Sequence, residues 1–359
     1  MQATRSPRGG PVRPLRLVVA GVGFWGTSWL DVVRRSPHWE LVALVDADPD
    51  ALDRAAPAAA IDRRACFESL AAAAGTVESD AILVAVPPPV HAPLALEALD
   101  LGLHCLVEKP FASTLSDARR IVERADSSSR IVMVSQQYRH RPGARTVARL
   151  LETGAVGRIG AAQVTFAHEP AVRGFQHEMD EPLLLDMAIH HFDLLRGVLG
   201  VEPTRVQATS WNPSWSAFSG NASATVVFEA EQGVTVTYSG TLEPRGFETH
   251  WDGAWTILCD GGSIRWNGDD VVVRPLARPL LAKIRRRVLK REWSGRRVKP
   301  TALSAPDRLG SLAELSAAIR EQREPETSGR DNIRSLALTL AAVESAERRA
   351  AVDVSELSE

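Results

Sequence analysis

The chain has 359 residues, long enough for two domains that each bury a core of their own. Its hydrophobic share of 45%, charged share of 24% and net charge of -2 match an ordinary soluble globular protein and exclude a strong field drawing it to nucleic acid or a membrane. Cys66, Cys105 and Cys259 are odd in number and scattered, so neither a disulfide framework nor a zinc ligand set follows, and a reducing compartment, the cytoplasm, is expected.

Residues 1–13 carry Arg, Pro and Gly without the apolar segment of a secretory signal and read as a disordered tail. No later apolar run approaches the roughly 20 residues that span a bilayer. From 14 to 136, short apolar runs alternate with helical patterns. LRLVVA, ELVALV, DAILVAV, LHCLVEK and RIVMVS read as strands, apolar throughout as strands covered on both faces should be. TSWLDVVRRS, HAPLALEALDLG and TLSDARRIVERAD read as the helices between them, the last opened by Thr114 with Asp117 three residues on. Strand-helix-strand repetition predicts a doubly wound parallel sheet.

The texture changes over 137–359. GARTVARLLETG reads as a helix, then IGAAQVTFAH as a strand, then a polar loop, then PLLLDMAIHHFDLLRGVLG as a helix. From 204 to 275 the pattern is strands with Gly-containing turns. Thr235, Thr237 and Ser239 alternate with Val234, Val236 and Tyr238, which predicts antiparallel strands with unlike faces. Helices over about 307–322 and 331–350 close the chain. The basic stretch 278–300 has an amphipathic cast and reads as a solvated insertion on the sheet, with contact to an anionic surface as the lesser option.

Two constellations carry chemistry. Gly21, Gly23 and Gly26 form GxGxxG after an apolar strand and before a helix. In that setting the first Gly permits the tight turn, the second lets the backbone approach a pyrophosphate, and the third permits close helix-strand packing. Asp46 ends the second strand twenty residues after Gly26. A carboxylate there accepts from both ribose hydroxyls and repels a 2′-phosphate, favouring NAD over NADP. Phe24 and Trp25 lie within the cradle, and packing is favoured for them over ligand contact. Further on, Glu108, Lys109 and Pro110 end another strand, where Lys can stabilise negative charge on a substrate oxygen. On the LLLDMAIHHFDLL helix, Asp186 and His190 lie four apart on one face, as an acid/base pair requires. Asp193 can share that face, whereas His191 points elsewhere and reads as structural. No metal site is expected, because no Cys or Glu with catalytic-zinc spacing accompanies these His and Asp residues. Tyr138 and Arg139 open the second half and can face substrate, as can His168, Arg173, His177 and Glu178 on the loop before the catalytic helix. A solvated loop is the plainer reading of those last four. Tryptophans 211, 215, 251, 255 and 266 read as sheet packing or an oligomer face ahead of a sugar-stacking surface.

GVGFWG, Asp46, PPPVHAPLALEALDLGLHCLVEKPFA, QQYRHRPGARTVARLLETGAVGRI and LLLDMAIHHFDLL follow one another in an order that resembles the Gfo/Idh/MocA oxidoreductases over about residues 14–350. The resemblance implies a Rossmann domain followed by an α/β domain with a large open-faced, mainly antiparallel sheet. It implies an NAD(P)-dependent enzyme acting on hydroxyl or carbonyl groups of sugars and cyclitols, with Lys109, Asp186 and His190 as its catalytic set. Either His190 or Lys109 takes the proton. Val86, Pro87 and His91 fall on the family's cofactor-side stretch together with Glu108. The chain has Val86-Pro87-Pro88-Pro89-Val90-His91 where many members have Thr-Pro-Asn before the His, so it lacks that Thr and Asn, and helix capping is the other reading of His91. A homodimer or homotetramer through the open sheet is expected. A non-catalytic sensor of the same fold, or a reductase of an aromatic diol or pigment, are the competing readings.

Overall fold

Leu15–Ala20 forms β1, and its last four residues are completely buried, so the strand is apolar on both faces. The computed structural model describes residues 13–170, 174–276 and 295–354. Arg173, the first twelve residues of the expected tail and positions 278–294 of the basic stretch lie outside the described residues. The chain divides into two units, one made of residues up to 137 together with 305–333, the other of 138–304 with 334 onward.

In the first unit, β1 is flanked by β2 (Trp39–Val45) and β4 (Ala81–Val84), with β3 (Cys66–Phe67) beyond β2, and β5 (His104–Val107) and β6 (Val132–Val134) beyond β4. All six strands are parallel, in the order β3-β2-β1-β4-β5-β6. Strand order therefore reverses between β1 and β4. The five longer strands are the ones the apolar runs predict. β3 has two residues, too few for any periodicity, and exists because Leu44 and Val45 pair with Cys66 and Phe67. Helices α1 (Phe24–Arg35), α2 (Pro49–Ala59), α3 (Leu70–Ala74), α4 (Pro88–Asp100) and α5 (Leu115–Ser128) connect the strands. Thr114 caps α5 by accepting from the Asp117 N–H, as the spacing predicts.

A single cut near residue 136 does not describe the division. Helix α8 (Arg308–Glu321, following α6 and α7 below) and the turn after it belong to the first unit. Trp39 Nε1 donates to Leu312 O, Leu312 and Leu315 enter the β1/α1 core, and Thr327 exchanges two hydrogen bonds with Val134. A chain that returns in this way leaves no local signal, because its hydrogen-bond partners lie 273 and 193 residues upstream.

The second unit is built on a nine-stranded sheet. Its strands are β7 (Ile159–Ala167), β8 (Pro203–Trp211), β9 (Ser223–Ala230), β10 (Thr235–Thr241), β11 (Ala254–Cys259), β12 (Gly262–Asn267), β13 (Asp270–Pro275), β14 (Arg296–Val298) and β15 (Val352–Asp353). Their order is β14-β13-β12-β11-β7-β10-β9-β8-β15. Every pairing is antiparallel except β7 with β10. The expected alternation holds: Val236 and Tyr238 are buried, while Thr235, Thr237 and Ser239 are exposed. Helices α6 (Pro142–Glu152), α7 (Ile189–Gly197) and most of α9 (Gly329–Arg348) belong to this unit, α9 having begun in the first. Residues 296–298 of the basic stretch form an edge strand on β13, where exposed Arg296 and Arg297 guard the open edge. Trp255 and Trp266 stack in the core, whereas Trp211 and Trp215 are exposed. No helix of the described residues is long and apolar enough to cross a membrane.

In each unit at least one histidine is held neutral. His104 Nδ1 accepts from the Ile131 N–H, and burial, helped by nearby Arg130, pushes its pKa down to about 4. His191 is completely enclosed and is also pushed down to about 4 by burial. The unfolded chain takes up these protons near the ordinary 6.5, the folded chain only near 4. Stability is therefore full above pH 6.5 and lost as pH falls from 6.5 towards 4, by on the order of 3 kcal/mol for His191 at the low end. Thermal melts across that window should show Tm falling with pH, and His104→Asn should flatten the slope; a flat wild-type profile would contradict this account.

Candidate functional site

Four adjacent parallel strands of the first unit end on one side of the sheet, and the residues after them meet there. Gly21 follows β1, Asp46 follows β2, Val86 lies two residues past β4, and Glu108 and Lys109 follow β5. In open α/β sheets ligands bind beyond these ends, where strand order reverses. Gly21 has φ +84, and a Cβ on it would lie 2.5 Å from the Ala85 carbonyl oxygen. Gly26 sits so close to the turn that its Cβ would lie 1.8 Å from Gly21 O. Gly23 is the opposite case: its Cβ would meet nothing within 4 Å. The three glycines thus separate into two that allow close packing and one that faces open space. Gly23 is the N-cap of α1, which has no side-chain cap and no acidic residue in its first turn. The helix end therefore keeps its partial positive charge for an anion.

The Asp46 carboxylate accepts from the Val22 N–H at 2.8 Å and the Asp48 N–H at 3.0 Å. Each oxygen keeps lone-pair capacity for a further donor, as a ribose-binding carboxylate needs. These residues fit a dinucleotide: a turn only glycine can make, an uncapped helix start, and an acceptor at the end of β2. Phe24 and Trp25, for which packing was favoured, are instead 74% and 43% exposed beside the cradle. The Arg308 guanidinium lies 5.1 Å from the Trp25 ring and donates to Ser28 Oγ.

Glu108 is no solvated charge. It is buried, and it accepts from Trp29 Nε1 at 2.9 Å and from the Lys109 N–H at 3.1 Å. The cradle helix and the Lys109 backbone are thereby tied to one carboxylate. His91 is buried on α4 with Nδ1 2.8 Å from Pro110 O and Nε2 2.8 Å from Val86 O. Its partners are carbonyls and not helix N–H groups, so it caps nothing. Burial pushes its pKa down, so the neutral ring donates to one of the two. His91 spans the Val86 and Pro110 loops, the two stretches beside the cradle.

In the second unit, Asp186 does not lie on an α-helix. Leu183–Ala188 is wound as a π-helix, and α7 begins only at Ile189. The wider turn changes the angle per residue, so α-helical spacing does not fix the relation of Asp186 to His190. His190 is buried and stacks on Tyr138, with ring centroids 4.3 Å apart and 21° between planes. Neighbouring His191 faces the sheet: its Nε2 donates to Trp251 O, and its Nδ1 accepts from the Tyr238 hydroxyl. Asp193 is engaged in a buried ion pair. It takes a bidentate pair of bonds from Arg139, at 2.7 and 2.6 Å, and a third from Ser335 Oγ. Arg139, expected at the substrate, is 4% exposed and engaged in that pair. A Cβ on Gly197 would lie 2.2 Å from Arg139 Nε, so glycine is what admits the guanidinium.

Of the loop residues, His168 packs at a tilt against Trp251, His177 stacks on Phe218, and Glu178 accepts from Ser219. Glu181, passed over in the sequence, is a buried carboxyl held by Ser210 and Asn221, and burial pushes its pKa up. Among the described residues no group of three or more His, Cys, Asp or Glu is arranged to hold a metal ion.

Residues 15–136 match the model of the oxidoreductase family with an NAD-binding Rossmann fold, and residues 144–265 match the Gfo/Idh/MocA C-terminal domain. The chain belongs to the Gfo/Idh/MocA oxidoreductase family. It is 30% identical to the protein y4oX of Sinorhizobium fredii over 62% of this chain and 64% of that one, just under two thirds of its length. A D-apiose dehydrogenase of Paraburkholderia graminis is 29% identical, with 96% of this chain and 91% of that one covered. Among solved structures, an oxidoreductase from Agrobacterium radiobacter in complex with NAD+, L-tartaric acid and magnesium superposes with a TM-score of 0.83 at 23% identity, covering 96% of this chain and 99% of that one. The family's dinucleotide domain is thus the first unit's sheet, and the cradle glycines can be tested separately. Gly23→Ala should leave the unfolding free energy from urea melts within about 0.5 kcal/mol of wild type and weaken NAD binding by about tenfold or more. Gly26→Ala should destabilise the fold itself by several times that amount. Fluorescence titration with NAD beside urea melts separates the two; undiminished affinity in Gly23→Ala would show that the space over Gly23 holds no cofactor.

Proposed function

We propose that this oxidoreductase moves a hydride between NAD(H) and a secondary hydroxyl or carbonyl of a sugar, cyclitol or related polyol. The observation that carries the reading is the gathering of Gly23, Asp46 and Lys109 beyond the ends of neighbouring parallel strands of one sheet. A bound nicotinamide supplies the hydride acceptor or donor, and the protein supplies position and charge. Asp46 favours NAD, because a carboxylate accepts from ribose hydroxyls and repels a 2′-phosphate. The ammonium of Lys109, whose backbone N–H is held by Glu108, stabilises negative charge on the substrate oxygen as the alcohol is oxidised. His190 takes the hydroxyl proton, and Asp186 orients the ring and stabilises its protonated form. In the reductive direction the same groups return the proton. A neutral Lys109 as base is the second assignment, since the resemblance implies a catalytic role for both groups.

The exposed face of the nine-stranded sheet carries Gln163, Thr165, Thr225, Thr237 and Ser239, a polar surface that suits burial in a homodimer or homotetramer. The three cysteines are free thiols, which suits the cytoplasm.

A panel of aldoses, uronates and cyclitols offered with NAD and with NADP, followed at the reduced-nicotinamide absorbance band, tests the reading. Turnover with a polyol, faster with NAD, is the expected result. Lys109→Ala should lower kcat by ~10²- to 10³-fold and leave NAD affinity close to wild type. Tight NAD binding without turnover of any substrate would favour a sensor, and full turnover in Lys109→Ala would remove that residue from the mechanism.

A further inference from the structure

Beyond the family's catalytic set, the second unit contains a layered support for His190, and we propose that Tyr138 and Arg141 are its positioning residues. The inference rests on the reading of His190 as the acid/base. His190 stacks on the Tyr138 ring at 4.3 Å, close to parallel. The Arg141 guanidinium carbon lies 3.6 Å from the centroid of the same phenol ring. Imidazole, phenol and guanidinium therefore share one aromatic ring, with the cation held against its π system. Tyr138 is 6% exposed, so it serves as a buried plate and not as a free surface for substrate.

The guanidinium itself faces a buried carboxylate. Arg141 Nη1 is 4.0 Å from Oδ2 of Asp252, a carboxylate only 1% exposed, whose other oxygen is hydrogen-bonded to His250 Nδ1. That bond pushes the His250 pKa up, and the one buried carboxylate faces both His250 and Arg141. The turn carrying Asp252 is pinned at four points: Trp255 Nε1 donates to Asp252 O, the Gly253 N–H to His250 O, the His250 N–H to Asn267 Oδ1, and His191 Nε2 to Trp251 O. Gly268, at φ +59, leaves room for the His250 ring, which a Cβ there would meet at 2.9 Å.

These contacts close a circuit. His191 holds the turn, the turn holds Asp252, Asp252 faces Arg141, Arg141 lies on Tyr138, and Tyr138 lies on His190, the residue next to His191. Two adjacent histidines thus mark the two ends of one support. A rotation of the His190 ring must displace the Tyr138 plate, which Arg141 resists. The hydroxyl of Tyr138 has no part in this role; the ring does.

Steady-state kinetics on the full chain with NAD and the best polyol of the panel provide the test. Tyr138→Leu should lower kcat by up to ~10²-fold, the loss that follows a displacement of a reacting group by about 1 Å, with KM for NAD unchanged. Tyr138→Phe should restore most of that kcat at a wild-type KM for the polyol. If Tyr138 contacted substrate through its hydroxyl, Tyr138→Phe would instead raise the polyol KM, and the proposal would fail. Arg141→Met and Asp252→Asn should each lower kcat, and the double variant should be little worse than Arg141→Met alone, because both changes break one support. Fully additive losses would overturn the proposal. Thermal melts and NAD titration of each variant exclude a folding defect as the cause. His190→Asn separates the two hypotheses: if it retains turnover, the acid/base reading has failed; if it loses turnover while Tyr138→Leu and Arg141→Met keep theirs, only the positioning role has failed.

Discussion

The first unit depends on how closely α1 approaches the strand it follows. Gly26 lies so near the Gly21 carbonyl that any side chain there would push helix and strand apart, and one at Gly21 would strike the Ala85 backbone after β4. That contact aims the uncapped end of α1 at the space over Gly23. It also brings Trp29 to Glu108, so the carboxylate that fixes the Lys109 backbone is held by the cradle helix. Cofactor cradle and proposed catalytic lysine are therefore parts of one packed structure. The energetic reason is that a buried carboxylate is tolerable only with its donors in place, so Glu108 penalises any displacement of either Trp29 or Lys109.

The second unit solves its positioning problem with buried charge. Asp193 and Arg139 form a bidentate pair with Ser335 as a third donor, and Arg196 reaches both Glu202 and Ser335. Such pairs add little net stability, because desolvation offsets most of the Coulomb gain, but leaving one partner alone is costly. Their effect is to restrict the ways in which α7 can seat against α9. Since α7 carries His190 at its start, a fixed seating of the helix is the first requirement for a fixed imidazole. The π-helical turn before it gives Asp186 a direction that an ordinary α-helix would not.

Much of this was legible in the chain. The strands of the parallel sheet announce themselves because burial on both faces leaves only apolar residues, and the alternation in β10 does so because one face of its sheet is open. The GxGxxG spacing, Asp46, and the Lys109 and His190 stretches point to the family through residue type and order. Other features left no local trace. Arg139 and Asp193 are ordinary charged residues in sequence and become a buried pair only because Gly197 makes room. Arg141, Asp252 and His250 sit in unremarked loops more than a hundred residues apart in part, and their relation exists only in three dimensions. Phe24 and Trp25 resemble core residues by composition, yet they are exposed because α1 turns its N-terminal end outward to the cradle.

By itself, the sequence determined the elements whose cause is local: apolar strands, the Thr114 cap, the glycine turn and the carboxylate that ends β2. Each follows from chain geometry or hydrogen bonding within a few residues. Tertiary structure alone decided that helix α8 returns to the first sheet, that β7 and β10 run parallel, that Leu183–Ala188 takes a π winding, and which charged groups are buried as partners. Those outcomes depend on contacts between distant segments, and a charged or aromatic residue carries no mark of its partner until the fold brings the two together.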